Sequence, residues 1–201
     1  RDHITNGEDA DILLNTLQKS LKNRDLVIVA DYGHGMLTNE SISMLCDKSP
    51  FLAMNVQSNA GNRGFNPVSK YSKADYVCLQ EHEVQVETRQ RDGDVRVQLS
   101  EVMRRIDCPR FTVTRGKSGS LHYGPKTGFV EAPALAVRVL DRVGAGDAVF
   151  AVTSLLVKLD APWDIVALIG NVVGAQMVAQ LGNSQPLNST ILSKSITSLM
   201  K

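Results

Sequence analysis

Cysteine is scarce in this 201-residue chain: Cys46, Cys78 and Cys108 stand far apart, and no C-x-x-C pair occurs. So sparse and odd a set fits a reducing interior in which each thiol is a small buried side chain. Charge of one sign is equally lacking. Twenty-two Lys+Arg face 21 Asp+Glu, a net charge of +1, which argues against a nucleic-acid partner or an anionic membrane surface. A membrane span needs about 18 apolar residues in a row. The longest candidate, around Ala145–Leu159, is interrupted by Asp147 and Thr153 and meets Lys158 at its end, so a soluble, cytoplasmic protein is expected. His3, His34, His82 and His122 show no zinc-ligand spacing. No G-x-S-x-G elbow suggests a serine hydrolase. Gly33-His-Gly35 lacks the third glycine of a dinucleotide fingerprint, Thr38 standing in its place. The chain opens on Arg1 with no signal-like segment, so it is expected to begin inside a longer protein.

What is present is an ordinary folded composition, 43% hydrophobic and 21% charged, in one domain's worth of chain. Helical stripes alternate with short apolar runs, the pattern of an α/β domain. Ile12, Leu13, Leu14, Leu17 and Leu21 predict an amphipathic helix over Gly7–Leu21. Leu26–Ala30 reads as a parallel strand covered on both faces. Thr38, with Asn39 and Glu40 behind it, offers a cap for a helix through Asp47. Strands are expected at Phe51–Val56, Tyr76–Leu79, Phe111–Thr114, Leu121–Tyr123, Phe129–Val130 and Ala136–Leu140. Further helices are expected from Gln80, over Val97–Ile106, and at Ala145–Leu159, Trp163–Leu181 and Ser189–Met200. No repeat or low-complexity linker divides the chain, so residues 1–201 read as one domain.

The chemistry concentrates in Asp141-Arg-Val-Gly-Ala-Gly-Asp147, between a strand and an apolar helix. Gly144 and Gly146 let backbone approach a ligand closely. The following helix points unpaired N–H groups and the positive end of its dipole at the same place, which suits phosphate oxygens. Asp147 sets a carboxylate in the first turn. A base beside a phosphoryl group makes sense where an acceptor hydroxyl must lose its proton. The plain alternative is a capped helix start with Asp147 complementing the dipole.

These residues resemble the D-T-x-G-A-G-D signature of the ribokinase-like (PfkB) carbohydrate kinases. Asp31-Tyr-Gly-His-Gly-Met-Leu37 is similar to that family's D-Y-x-K-G-x-L turn, especially in its heptose-phosphate kinase branch. Gln80-Glu-His-Glu83 falls where the family has N-x-x-E, and Val113–Gly119 resembles its T-x-G-x-x-G nucleotide turn. Gly170-Asn171 and Gly182 match its closing helices. The resemblance implies a ribokinase-like three-layer α/β sandwich around a mostly parallel sheet. It also implies that this chain is the C-terminal two-thirds of such a domain, with the N-terminal part and β lid missing. The implied activity is phosphoryl transfer from ATP to a hydroxyl of a sugar or sugar phosphate, with Mg²⁺.

By position, the resemblance makes Asp147 the general base and the N–H groups of Gly144, Ala145 and Gly146 the anion hole. Arg115, Gly116 and Gly119 would line the nucleotide phosphates or ribose, and Asn171 the nucleoside end. Glu83 would hold Mg²⁺ through water. Asp31 would face the acceptor, with Gly33 in the same turn. Arg142 stands where the family has Thr; it could clamp a phosphate on the acceptor, or be an exposed loop arginine. Asn59 lies in an amide-rich loop, Gln57–Asn66, that either binds sugar hydroxyls or is an Asx-rich surface turn. Asn55, Gln57 and Gln80 also depart from the branch pattern. The second reading is therefore a non-catalytic, ribokinase-fold sugar- or nucleotide-binding or regulatory module of a bifunctional sugar-nucleotide protein. Either reading allows a fused or self-associated kinase domain as partner.

Overall fold

The computed structural model describes residues 7–182 and 184–199; His3 and the expected helix end at Met200 lie outside them. The chain divides into two compact units, Arg1–Phe111 and Thr112–Lys201.

The first unit opens with helix α1, Gly7–Leu21. Strand β1 (Val27–Asp31) leads to α2 (Asn39–Lys48), β2 (Leu52–Val56), β3 (Tyr76–Gln80), α3 (Glu81–Thr88) and α4 (Val95–Met103). β1 pairs in parallel with β2, in the register Val27 to Leu52 and Asp31 to Val56, and β2 pairs in parallel with β3. The β1–β2 crossover carries α2, whereas the long β2–β3 connection holds only a short 3-10 turn at Val68–Lys70. Thr38 caps α2 by accepting the Ser41 N–H at 3.3 Å, and Asp94 caps α4 by accepting that of Arg96 at 2.8 Å, so both helices start where a side-chain oxygen satisfies an orphan donor.

β2 is buried along its whole length and β3 up to Gln80. Their residues Leu52, Ala53, Met54, Tyr76, Val77 and Leu79 form the core with Leu45, Val84, Leu99 and Val102. Each such valine, leucine or methionine side chain contributes about 1.5–3 kcal/mol by leaving water. β1 differs from its expectation. Val29 and Asp31 are buried but Ile28 and Ala30 are exposed, so this apolar run is covered on one face.

The second unit takes up β4 (Phe111–Thr114) and continues with β5 (Ser120–Gly124) and β6 (Gly128–Ala132), an antiparallel hairpin. Helices α5 (Ala145–Lys158), α6 (Trp163–Val178) and α7 (Ser189–Leu199) follow. The six strands make a mostly parallel, mixed α/β architecture, as expected. Ala136–Leu140 is not a strand, however. Val137 and Val139 are exposed, and the Leu140 and Asp141 N–H groups both donate to Val178 O instead of a ladder. An alternating apolar pattern without a neighbouring strand to pair with stays irregular.

α5 and α6 pack through small residues. A Cβ on Gly170 would meet Thr153 Cγ2 at 3.1 Å, and one on Gly174 would meet Val149 Cγ2 at 3.3 Å. Ala145, Val149, Val173 and Met177 form the buried seam, with Leu187 and Leu192 packed against it. Among the described residues no helix is long and apolar enough to cross a membrane.

Trp163, at the head of α6, lies over Gly124, where a Cβ would fall 1.9 Å from the indole Nε1. Gly124→Ala is therefore expected to destabilise the protein by about 1–3 kcal/mol through overpacking. Gly128→Ala, with no atom near its Cβ position, suffers only the backbone strain of its positive φ. Urea midpoints at constant m-value measure the difference.

Candidate active site

In the second unit the site is built from the turn that starts α5. Gly144 is its N-cap with φ 77°, a left-handed conformation that favours glycine, and as glycine it brings no side-chain cap of its own. The first-turn N–H groups and the positive end of the helix dipole meet at this turn. The Ala145 N–H is partly engaged, at 3.3 Å from Arg142 O. Ala145 is buried, Gly144, Gly146 and Asp147 are half-buried, and Arg142 is exposed. This exposed position is the plain alternative raised for Arg142, and it leaves the guanidinium within one turn of the helix start.

A residue that the sequence reading left out of the site fixes this turn. Asp141 accepts the Val143 N–H on Oδ1 at 3.0 Å and the Gly182 N–H on Oδ2 at 3.0 Å. The chain just before the turn is also bonded to Val178 at the end of α6. The bonds from Val143, then Gly182, hold the Asp141 carboxyl below its ordinary range. Its position at the head of the D-x-x-G-A-G-D element was the available signal.

The expected nucleotide residues gather elsewhere in the same unit. Arg115, Gly116 and Gly119 form a tight bend in which Arg115 N–H donates to Gly119 O at 2.8 Å. Gly119 is compelled to be glycine: its φ is 81° and a Cβ would lie 2.0 Å from Ala132 O. Gly116 needs only its positive φ of 55°. Arg115 stands 3.7 Å from Glu131 in a partly exposed ion pair that adds little stability. Asn171 on α6 accepts the Ser120 hydroxyl on Oδ1 at 3.0 Å and donates from Nδ2 to Pro133 O at 2.8 Å. Gly119 and Asn171 therefore meet the same segment, Ala132–Ala134.

In the first unit Asp31 ends β1, only 5% exposed. Its Oδ1 accepts the Gly33 N–H at 2.9 Å, and its Oδ2 accepts the Tyr71 hydroxyl at 2.7 Å and pairs with Lys70 Nζ at 2.6 Å. Burial raises its pKa, but the bonds from Lys70, Tyr71 and Gly33 outweigh it and leave the carboxyl below its usual value. Burial, with the Asp31 charge, pushes the Tyr71 hydroxyl up. Lys70 also donates to Asn66 Oδ1 at 2.6 Å. Neither Lys70 nor Tyr71 carried a local signal, because both lie some forty positions along the chain from the acid they hold.

The amide-rich loop is tied to this turn. Asn59 and Asn62 donate to Tyr32 O at 2.9 and 3.0 Å, and Asn66 donates to Asp31 O at 3.0 Å. Asn59 Oδ1 accepts the Gly61 and Asn62 N–H groups. The loop is thus built of Asx turns. Gly33, with φ 69°, sits so close that a Cβ would meet Asn66 Cγ at 2.7 Å.

Glu83 completes a capping box. Its Oε2 accepts the Gln80 N–H at 2.7 Å, and its Oε1 accepts that of Ser58 at 3.3 Å. Gln80, where the branch has Asn, works as the N-cap of α3. Among the described residues no group of three or more His, Cys, Asp or Glu could hold a metal ion. The donor set therefore does not fit a protein-built Mg²⁺ cage, and Glu83 alone could act only on the hydration shell of an ion held elsewhere.

Residues 5–190 match the family described as pfkB family carbohydrate kinase. The chain belongs to this family. Among curated proteins it is similar to the bifunctional protein HldE of Bradyrhizobium diazoefficiens, 28% identical over 86% of this chain and 35% of that protein. HldE of Rhodopseudomonas palustris is 27% identical over the same shares. The chain thus spans about a third of the length of the curated relatives it matches. Among solved structures, phosphofructokinase-2 from Escherichia coli in complex with potassium superposes with a TM-score of 0.79 at 14% identity, covering 98% of this chain and 63% of that one. Arabidopsis thaliana ribokinase complexed with ribose and ATP gives 0.72 at 15% identity over 93% and 59%. At these identities the likeness shows the ribokinase-like fold.

Asp141→Ala is expected to speed hydrogen exchange at Val143 and Gly182 while leaving β2 protected, as mass spectrometry of exchanged fragments would read. The same loosening should follow acidification. With the folded pKa depressed, the stabilisation is full above the ordinary aspartate value of about 3.9 and is lost as pH falls through the folded value.

Proposed function

We propose that this domain transfers the γ-phosphoryl group of ATP to a hydroxyl of a sugar or sugar phosphate. The observation that carries the reading is the turn at the head of α5: a left-handed Gly144 at the N-cap and Asp147 in the first turn, fixed from behind by Asp141. Membership of a family of carbohydrate kinases supports it.

In this reading Asp147 takes the proton of the acceptor hydroxyl as it attacks. The N–H groups of Gly144, Ala145 and Gly146 receive the charge that builds on the transferring group, at a place where they need not reorganise. Arg115, Gly116 and Gly119 line the nucleotide phosphates or ribose, and Asn171 the nucleoside end. Arg142 clamps a phosphate on the acceptor, consistent with a heptose-phosphate type of substrate. Asp31, Gly33 and Asn59 serve the acceptor, Asp31 through the turn its carboxylate braces. Mg²⁺ bound with ATP would neutralise phosphate charge, Glu83 acting on it through water. On this reading the protein works in the cytoplasm, with a fused or self-associated kinase domain as its partner.

The engaged carboxylate of Glu83 and the altered Asn55, Gln57 and Gln80 favour a second reading, a binding or regulatory module without transfer. Two results separate the readings. Asp147→Asn in the intact protein is expected to lower kcat by about 10²–10⁴-fold with ATP affinity retained. Unchanged turnover removes Asp147 from the role. A thermal shift with Mg-ATP, but no ATP consumption across a panel of sugars and sugar phosphates, establishes the second reading.

Arg142→Ala tests the acceptor class separately. It is expected to raise KM about tenfold or more for a phosphorylated acceptor, and to leave KM for the same sugar without phosphate unchanged. Equal KM changes for both acceptors return Arg142 to the exposed loop arginine.

A further inference from the structure

His122 is almost wholly buried on β5, and nothing in the proposed transfer uses it. Its Nδ1 lies 2.9 Å from Thr112 Oγ1 and its Nε2 lies 2.7 Å from Ser120 Oγ. Ser120 and His122 are two residues apart, so both side chains leave the strand on one face. Ser120 is buried as well and is the residue that touches Asn171.

The direction of every bond in this chain follows from one atom. Pro133 O can only accept, so the Asn171 amide must turn its Nδ2 toward it and its Oδ1 toward Ser120. Ser120 then donates its single proton to Oδ1. It must accept from His122, which places the imidazole proton on Nε2. Nδ1 is left to accept the Thr112 hydroxyl. Burial lowers the His122 pKa to about 4, so the ring is neutral near pH 7. A second contact holds it in place: the ring lies 5.8 Å from that of Trp163, tilted by 41°. Trp163 begins the helix that carries Asn171.

We propose that Ser120 and His122 are positioning residues for the nucleoside end of the phosphoryl donor. Pro133 O selects the orientation of the Asn171 amide, and the relay from Thr112 through His122 and Ser120 matches that orientation and holds the plane of the amide. One Nδ2–H and one Oδ1 lone pair are thereby held in a fixed direction beside the Arg115–Gly119 bend. A serine alone would be free to rotate away from Asn171. With the imidazole Nε2–H bonded to its oxygen, it stays in place and keeps its proton on Oδ1. The proposal rests on the assignment of Asn171 to the nucleoside.

The test measures ATP affinity by isothermal titration, and KM for ATP against kcat, in the intact protein. Ser120→Ala is expected to weaken ATP binding and raise its KM about fivefold, the worth of one hydrogen bond, with kcat at saturating ATP unchanged. Affinity for inorganic triphosphate, which has no nucleoside, should stay at the wild-type value. His122→Gln keeps an N–H donor where Nε2 stood and should retain ATP affinity, whereas His122→Phe should lose it as Ser120→Ala does. Where the phenylalanine variant does not fold, Ser120→Ala and His122→Gln decide. Equal losses for ATP and triphosphate in Ser120→Ala overturn the proposal in favour of a purely structural role. Wild-type ATP affinity in Ser120→Ala, with Asn171→Ala weakened, overturns it while sparing Asn171. Wild-type affinity in Asn171→Ala, or no ATP binding by the unmodified protein, overturns the assignment beneath it as well.

Discussion

The carboxylate of Asp141 receives two N–H groups that the chain separates by the whole of α5 and α6. One belongs to the turn that starts α5 and the other lies past the end of α6, so a single side chain closes the helical hairpin on itself. The glycine-rich turn has few side chains of its own with which to keep one shape. Gly144 has no side chain to anchor it and Gly146 adds none, and a backbone this permissive loses more entropy on ordering than any other. Asp141 supplies from outside the turn the order that its own residues lack. The N–H groups of the turn and Asp147 then hold a fixed relation to each other.

The first unit solves a related problem with amides. Asn59, Asn62 and Asn66 turn their side chains toward the carbonyls of the neighbouring turn, and Lys70 joins Asn66 to Asp31. A buried carboxylate is tolerated here because a cation, a phenol and a backbone N–H surround it. The loop is polar in composition, yet much of that polarity faces inward. Its surroundings, more than its amide content, set what it can offer a ligand.

Local chemistry made much of this legible in the letters. The helix over Gly7–Leu21, the cap at Thr38 and the strand–turn–helix around Gly144 all follow from neighbouring residues acting on one another. What escaped were contacts that depend on distant chain. Nothing near Lys70 or Tyr71 announces a carboxylate at position 31. Ala136–Leu140 has the alternation of a strand, but its two N–H bonds at the Asp141 end go to a helix terminus. The leucine-, isoleucine- and valine-rich run at β1 looked covered on both sides, yet alternate residues face out. The histidines, scattered in sequence, gave no hint that one is a buried neutral link between two hydroxyls.

The glycines of α6 have a mechanical consequence. With Gly170 against the Thr153 methyl and Gly174 against a Val149 methyl, side chains of α5 seat directly on the backbone of α6, and contacts that short leave little room for sliding. Asp147 rides on one rod and Asn171 on the other. The pair behaves as a rigid caliper that sets the span between these two side chains. Surface segments of this unit can then lengthen, shorten or drift over generations while that gauge stays true.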